Sequence, residues 1–138
     1  MFEPQSSQRT QRESEENLNR ISEKIILAAI RVHRELGPGL LESTYESCLA
    51  HELTSIGLNF ERQKECPVRY RGLQINCGYR MDLLVQDSVV VELKATEKIL
   101  PIHKAQLLSY LKMSNLKLGL LVNFNVTLLK DGICRIVN

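Results

Sequence analysis

Apolar residues recur at Leu18, Ile21, Ile25, Ile26, Ala29, Ile30 and Val32, a spacing that puts them on one stripe of a helix from about Asn17 to Leu36. Gly37-Pro38-Gly39 ends it. The preceding residues 1–16 are mostly Gln, Ser, Arg and Glu, which offer nothing to a core, so a flexible polar tail is expected there and a single domain over 17–138. A second helix is predicted from about Leu40 to Ile56, burying Leu41, Tyr45, Cys48, Leu49 and Leu53, with Gly57 just past its end.

After Gly57 the pattern turns to alternation. Leu58 and Phe60, then Val68 and Tyr70 between Arg69 and Arg71, read as strands with one solvated face, up to a break at Gly72. Tyr79 to Val85 and Val89 to Ala95, joined by the polar Gln86-Asp87-Ser88, predict a β-hairpin. Pro101 suits the first turn of a helix that Ala105, Leu107, Leu108 and Leu111 continue to about Met113. Leu118 to Phe124 is a compact apolar strand, and Asp131-Gly132 marks a turn between two last strands, Val126 to Leu129 and Ile133 to Val137. This order predicts an α/β fold, one mixed β-sheet flanked by helices.

Composition adds mainly exclusions. With 138 residues, 43% hydrophobic and 25% charged, the chain has enough material for one core and falls outside the disordered and collagenous classes. A net charge of +2 is too slight to attract a polyanion at long range, so any such contact must be local. No stretch nears the roughly 18 apolar residues of a membrane span, and the N-terminus lacks an apolar targeting core, so a cytoplasmic protein is expected. Cys48, Cys66, Cys77 and Cys134 show neither metal-site nor disulfide spacing and are expected to be buried, reduced thiols.

The candidate chemistry sits on the hairpin. A three-residue turn centred on Asp87 sets Asp82 directly across from Glu92, where Cβ atoms lie about 4.5 to 5.5 Å apart and like charges destabilise a sheet unless compensated. A cation would compensate them. By alternation Lys94 shares the face of Glu92, while Val91 and Leu93 turn into the core. Two carboxylates and an ammonium are what phosphodiester hydrolysis with Mg²⁺, or alternatively Mn²⁺, requires, and the Leu93 carbonyl could add another ligand. A lone Glu-x-Lys more commonly marks a solvated face with a weak ion pair, and another loop geometry would turn Asp82 to the opposite face.

On the third helix, His103, Gln106 and Tyr110 fall on one face, where a glutamine could hold a phosphate oxygen or position water; a plain polar face is the competing reading. Glu42 stands in the first turn of the second helix, as an outer metal or water ligand or simply as a complement to the helix dipole. His33 and His51 show no ligand spacing.

Gly39-Leu40-Leu41-Glu42-Ser43-Thr44-Tyr45 resembles the G-x-x-E-x-x-Y signature of the GxxExxY proteins, a branch of the PD-(D/E)XK nuclease superfamily, and the likeness covers nearly all of residues 20 to 138. It implies a restriction-endonuclease-like core of helix, three-stranded meander, helix and strand, with the acidic positions on Asp82 and Glu92 and the lysine on Lys94. Gln106 to Tyr110 is also similar to the Q-x-x-x-Y motif of RecB-type members, and Met81 replaces the nominal proline before the aspartate.

The expected function is Mg²⁺-dependent hydrolysis of phosphodiester bonds in DNA. Asp82, Glu92 and the Leu93 carbonyl would hold the metal, and Lys94, Gln106, Glu42 and Tyr110 would complete the catalytic set. Arg69, Arg71, Arg80 and Lys98 are candidates for tracking phosphates. The small size leaves room for a homodimer or a partner protein to read the target. The rivals are a non-catalytic nucleic-acid-binding or protein-interaction module on the same fold, and a phosphatase-like enzyme, which would show a closed pocket.

Overall fold

Two helices lead the chain, α1 (Gln5–Leu36) and α2 (Glu42–Ser55), in a computed structural model that describes residues 5–138. The predicted stripe is the buried one: Ile21, Ile25, Ala29 and Val32 are in the core, with Leu18, Ile26 and Ile30 packed against it. The helix starts earlier than predicted. Residues 8–17 are all exposed, yet Gln, Glu and Arg are good helix formers, and a helix already nucleated on a buried stripe extends through them at little cost. The first four residues of the expected tail lie outside the described residues.

Leu41 is not buried as expected but 74% exposed, because it is the extended residue that precedes α2 (φ −72°, ψ 149°) and points off the helix stripe. Cys48 is only partly buried and Cys77 is exposed, so the expectation of buried thiols holds fully for Cys66 alone; all four are unpaired.

Strands β1 (Phe60–Glu65), β2 (Val68–Tyr70), β3 (Leu73–Ile75), β4 (Arg80–Val85) and β5 (Val89–Lys94) follow, then α3 (Pro101–Ser114), β6 (Leu118–Asn123) and β7 (Ile133–Val137). The main sheet has the order β1-β4-β5-β6-β7; β5 and β6 are parallel and the other neighbours antiparallel. The alternation pattern did not single out β3, a strand whose three residues are all exposed; it pairs only with β2, across the turn at Arg71 and Gly72.

The expected strand from Val126 to Leu129 does not form. The Val126 carbonyl accepts the His33 Nε2 hydrogen at 2.7 Å, so it is committed to α1 instead of a ladder, and Leu129–Gly132 winds into a short 3-10 helix. Gly132 passes so close to the Asn123 carbonyl that a Cβ there would lie 2.2 Å from its oxygen.

Alternation along the strands divides the core. One face of the sheet, with Leu83, Val85, Val91, Leu93 and Leu120, packs on α1 and α2. The other, with Leu84, Val90 and Leu121, packs on Leu107, Tyr110 and Leu111 of α3. The helix sits close to β6 because Gly119 has no side chain: a Cβ there would come within 2.8 Å of the Leu107 side chain. This close seat fixes the α3 face that carries Gln106 and Tyr110 relative to the sheet.

Candidate active site

Gln86 and Asp87 both take positive φ (54° and 50°), and the Ser88 N–H closes the turn on the Val85 carbonyl at 3.0 Å. The register that follows pairs Leu83 with Val91, which sets Asp82 opposite Glu92 as the turn predicts. At that position backbone pairing gives way to side chains. The Asp82 N–H donates to Glu92 Oε1 at 3.1 Å, and the Leu93 N–H donates to Asp82 Oδ2 at 2.8 Å. Each carboxylate has thus taken a backbone donor of the other strand.

The same break occurs on the other side of β4. Its pairing with β1 runs through Arg62↔Leu83 and Lys64↔Met81 but omits Gln63 and Asp82 between them. Gln63 there has φ 51°, in the left-handed region uncommon for a residue with a side chain, and its Nε2 donates to Asp82 Oδ1 at 3.3 Å and to Glu46 Oε1 at 2.6 Å. Both ladders therefore open at Asp82.

The electrostatics are lopsided. Glu92 is 6% exposed, and burial, followed by the charge of Asp82, pushes its carboxyl up to about 9, against which Lys94 pulls only weakly. Lys94 is half-buried two residues further along the strand, and among the described residues no carboxylate pairs with it. Ionising both acids would set two negative charges beside one weakly felt ammonium, so without a cation Glu92 keeps its proton, and a bound cation would favour its release.

The two named residues of the G-x-x-E-x-x-Y stretch hold the end of β5. Glu42 Oε1 accepts the Ala95 N–H at 3.2 Å, one residue past Lys94. Tyr45 is fully buried; its hydroxyl donates to the Gly37 carbonyl at 2.6 Å and accepts the Leu40 N–H at 3.1 Å, while its ring lies on Phe124. The Phe124 N–H in turn donates to the Lys94 carbonyl at 2.9 Å.

Glu46 and Gln63 were not among the residues singled out from the sequence. Glu46, one helical turn after Glu42, is buried and receives the Arg62 guanidinium at 2.9 Å as well as the Gln63 amide, so a chain of contacts runs from α2 through β1 to Asp82. The signal available was the Glu42/Glu46 spacing of four on a helix, which places both on one face.

On α3, His103, Gln106 and Tyr110 do share a surface and line one groove. Tyr110 is less exposed than a polar stripe suggests, at 7%, and burial together with the Glu92 charge raises its hydroxyl to about 12, which keeps it a hydrogen-bond donor at any ordinary pH. The structure thus gathers Asp82, Glu92 and Lys94, brings Tyr110 within reach of both acids, leaves Gln106 with Tyr110 in the neighbouring groove, and puts Glu42 on the backbone just beyond.

Among the described residues no cluster of three or more His, Cys, Asp or Glu side chains is arranged to hold a metal ion, and no helix is long and apolar enough to cross a membrane. Two carboxylates do suffice for Mg²⁺, which is commonly bound through one or two of them with water and phosphate oxygens completing the shell. Neither a curated protein nor a solved structure matches the chain significantly. The family model of the PD-(D/E)XK nuclease superfamily matches residues 19–136, nearly the whole chain, in keeping with the mixed sheet between helices, and the chain belongs to that superfamily.

Proposed function

We propose that this protein, of the GxxExxY branch, is a Mg²⁺-dependent nuclease that hydrolyses phosphodiester bonds in DNA. The observation that carries the reading is the Asp82–Glu92 junction, where strand pairing gives way to two facing acidic side chains that cannot both be charged without a cation. Asp82, Glu92 and the Leu93 carbonyl would hold the metal, and Mn²⁺ would fit the same oxygen set. When bound, the ion supplies Lewis-acid polarisation of the phosphoryl group and neutralises its charge.

The chain's own groups do the rest. The Lys94 ammonium, with no ion-pair partner among the described residues, stabilises negative charge on the phosphoryl oxygens or helps deprotonate water. Gln106 orients a reactant, and the protonated Tyr110 hydroxyl donates a hydrogen bond into the site. Glu42, with Oε1 on the Ala95 N–H, acts by holding the end of β5 in place. Four unpaired cysteines agree with a reducing, cytoplasmic setting, and a homodimer or a partner protein would contribute to target selection.

The test is incubation of the purified chain with plasmid, linear duplex and single-stranded DNA in Mg²⁺, Mn²⁺ or EDTA, beside Asp82→Ala and Lys94→Ala. Cleavage should require the metal and fall by on the order of a hundredfold or more in either variant. If neither ion supports cleavage nor raises the melting temperature, the non-catalytic binding module is the correct reading.

A further inference from the structure

The groove along α3 has a volume of about 480 Å³, within the range of small-molecule sites, and is lined by Tyr79, Tyr110, Val68, Met113, His103 and Gln106 among others. Tyr110, which lines the groove, belongs to the same packed cluster as Val90 on the sheet face to which Asp82 and Glu92 also turn, and its hydroxyl feels the charge of both acids, so groove and acids lie on one face of the sheet and meet at Tyr110. Tyr79 is 47% exposed, its ring centroid 6.3 Å from that of Tyr110 at a tilt of 58°. It presents an open aromatic face.

The polar groups lining the groove have capacity to spare. The Gln106 amide, a donor and an acceptor together, has no hydrogen-bond partner among the described residues. His103 uses Nδ1 to accept the Leu100 N–H at 3.0 Å, which leaves Nε2 free to donate. An aromatic face, an apolar lining and an amide are the elements that recognise a nucleobase by stacking and by its edge. Arg80 adjoins Tyr79 in sequence, the Arg69 N–H touches the Met113 sulfur at 3.5 Å, and neither guanidinium is ion-paired among the described residues. Both residues are exposed.

Resting on the nuclease reading above, we infer that this groove is a nucleobase subsite: an unpaired base next to the scissile phosphate stacks on Tyr79 and hydrogen-bonds Gln106. A base inside a duplex has both faces stacked and its edge paired, so it must leave the helix to enter. The substrate class is therefore a single strand or an unpaired end, and intact duplex is excluded from this subsite.

Fluorescence anisotropy of the full chain in EDTA tests this without any cleavage, using labelled single-stranded DNA, single-stranded RNA, duplex DNA and a base-free deoxyribose-phosphate oligomer. Single strands should bind roughly tenfold or more tighter than both the duplex and the base-free oligomer, and Tyr79→Ala should erase about that factor for single strands only. Tyr79→Phe should keep it. DNA preferred over RNA, or the reverse, identifies the sugar within the same subsite. Ile102→Glu, at a 67% exposed lining position whose change leaves the core intact, should repel the strand as well. Equal binding of base-free and base-bearing oligomers, or a Tyr79→Ala that alters only the oligomeric mass of the protein, overturns the inference. If metal-dependent cleavage persists in that case, the nuclease reading stands alone; base-dependent binding without cleavage upholds the groove and refutes the nuclease reading.

Discussion

Tyr45 stacks on Phe124 with ring centroids 4.3 Å apart and planes 7° from parallel. Because Phe124 also bonds the Lys94 carbonyl, the stack ties α2 to the strand that carries the lysine and Glu92. Tyr45→Phe keeps the ring and removes a buried hydroxyl that both donates to Gly37 and accepts from Leu40. Urea denaturation should show a loss of about 1 to 3 kcal/mol. Tyr45→Ala, which also removes the stack, should cost about 3 to 5 kcal/mol. In the Phe variant the rise in melting temperature expected on adding Mg²⁺ under the proposed function should match that of the parent, since neither carboxylate is touched. A Phe variant as stable as the parent would mean that the hydroxyl bonds are not what fixes the loop.

Glu92 sets a pH dependence with a definite sign. Its carboxyl stands near 9 in the fold against an ordinary 4.5, so between those values the folded chain holds a proton that the unfolded chain has released. Stability of the metal-free protein from this group is therefore lost as pH rises from about 4.5 to about 9, and is fully present below that window. Glu92→Gln has no proton to hold. In EDTA its melting temperature should exceed that of the parent by a margin that widens from pH 5 to pH 9, and added Mg²⁺ should stabilise the parent but not the variant. A margin that stays flat with pH would place Glu92 in a better solvated setting.

The hairpin and its facing acids were legible because turn length fixes which residues oppose each other, and the three-residue turn at Gln86-Asp87-Ser88 is the one that forms, not the other loop geometry that would have turned Asp82 away. The α1 stripe was legible for a similar reason, its period being carried by seven apolar residues. What the sequence hid depends on contacts between distant segments. The strand expected at Val126 to Leu129 has suitable residues, but His33, far away in the chain, claims the Val126 carbonyl. The ladder gap at Asp82 was equally hidden, because it follows from the backbone of Gln63, a residue that carries no turn signal. Glu46 went unnoticed since a glutamate on an amphipathic helix ordinarily faces water; only the arrival of Arg62 and Gln63 from β1 makes its burial tolerable.

That left-handed Gln63 allows strain and function to be separated. Its backbone costs about 1 kcal/mol relative to glycine in the same conformation, while its amide bridges Glu46 to Asp82. Gln63→Ala loses the bridge and keeps the strain; Gln63→Gly loses the bridge and relieves it. The glycine variant should therefore be more stable than the alanine variant by about 1 kcal/mol in urea denaturation. Both should lose cleavage rate to the same extent, roughly tenfold, as happens when a group that orients a metal-binding carboxylate is removed. The loss should appear as weaker Mg²⁺ dependence of the rate, with binding of nucleic acid in EDTA unchanged. Should the two variants differ in rate by as much as they differ in stability, Gln63 would matter for the shape of β1 and not for the aim of Asp82, and the contact chain from Glu46 would end at the strand.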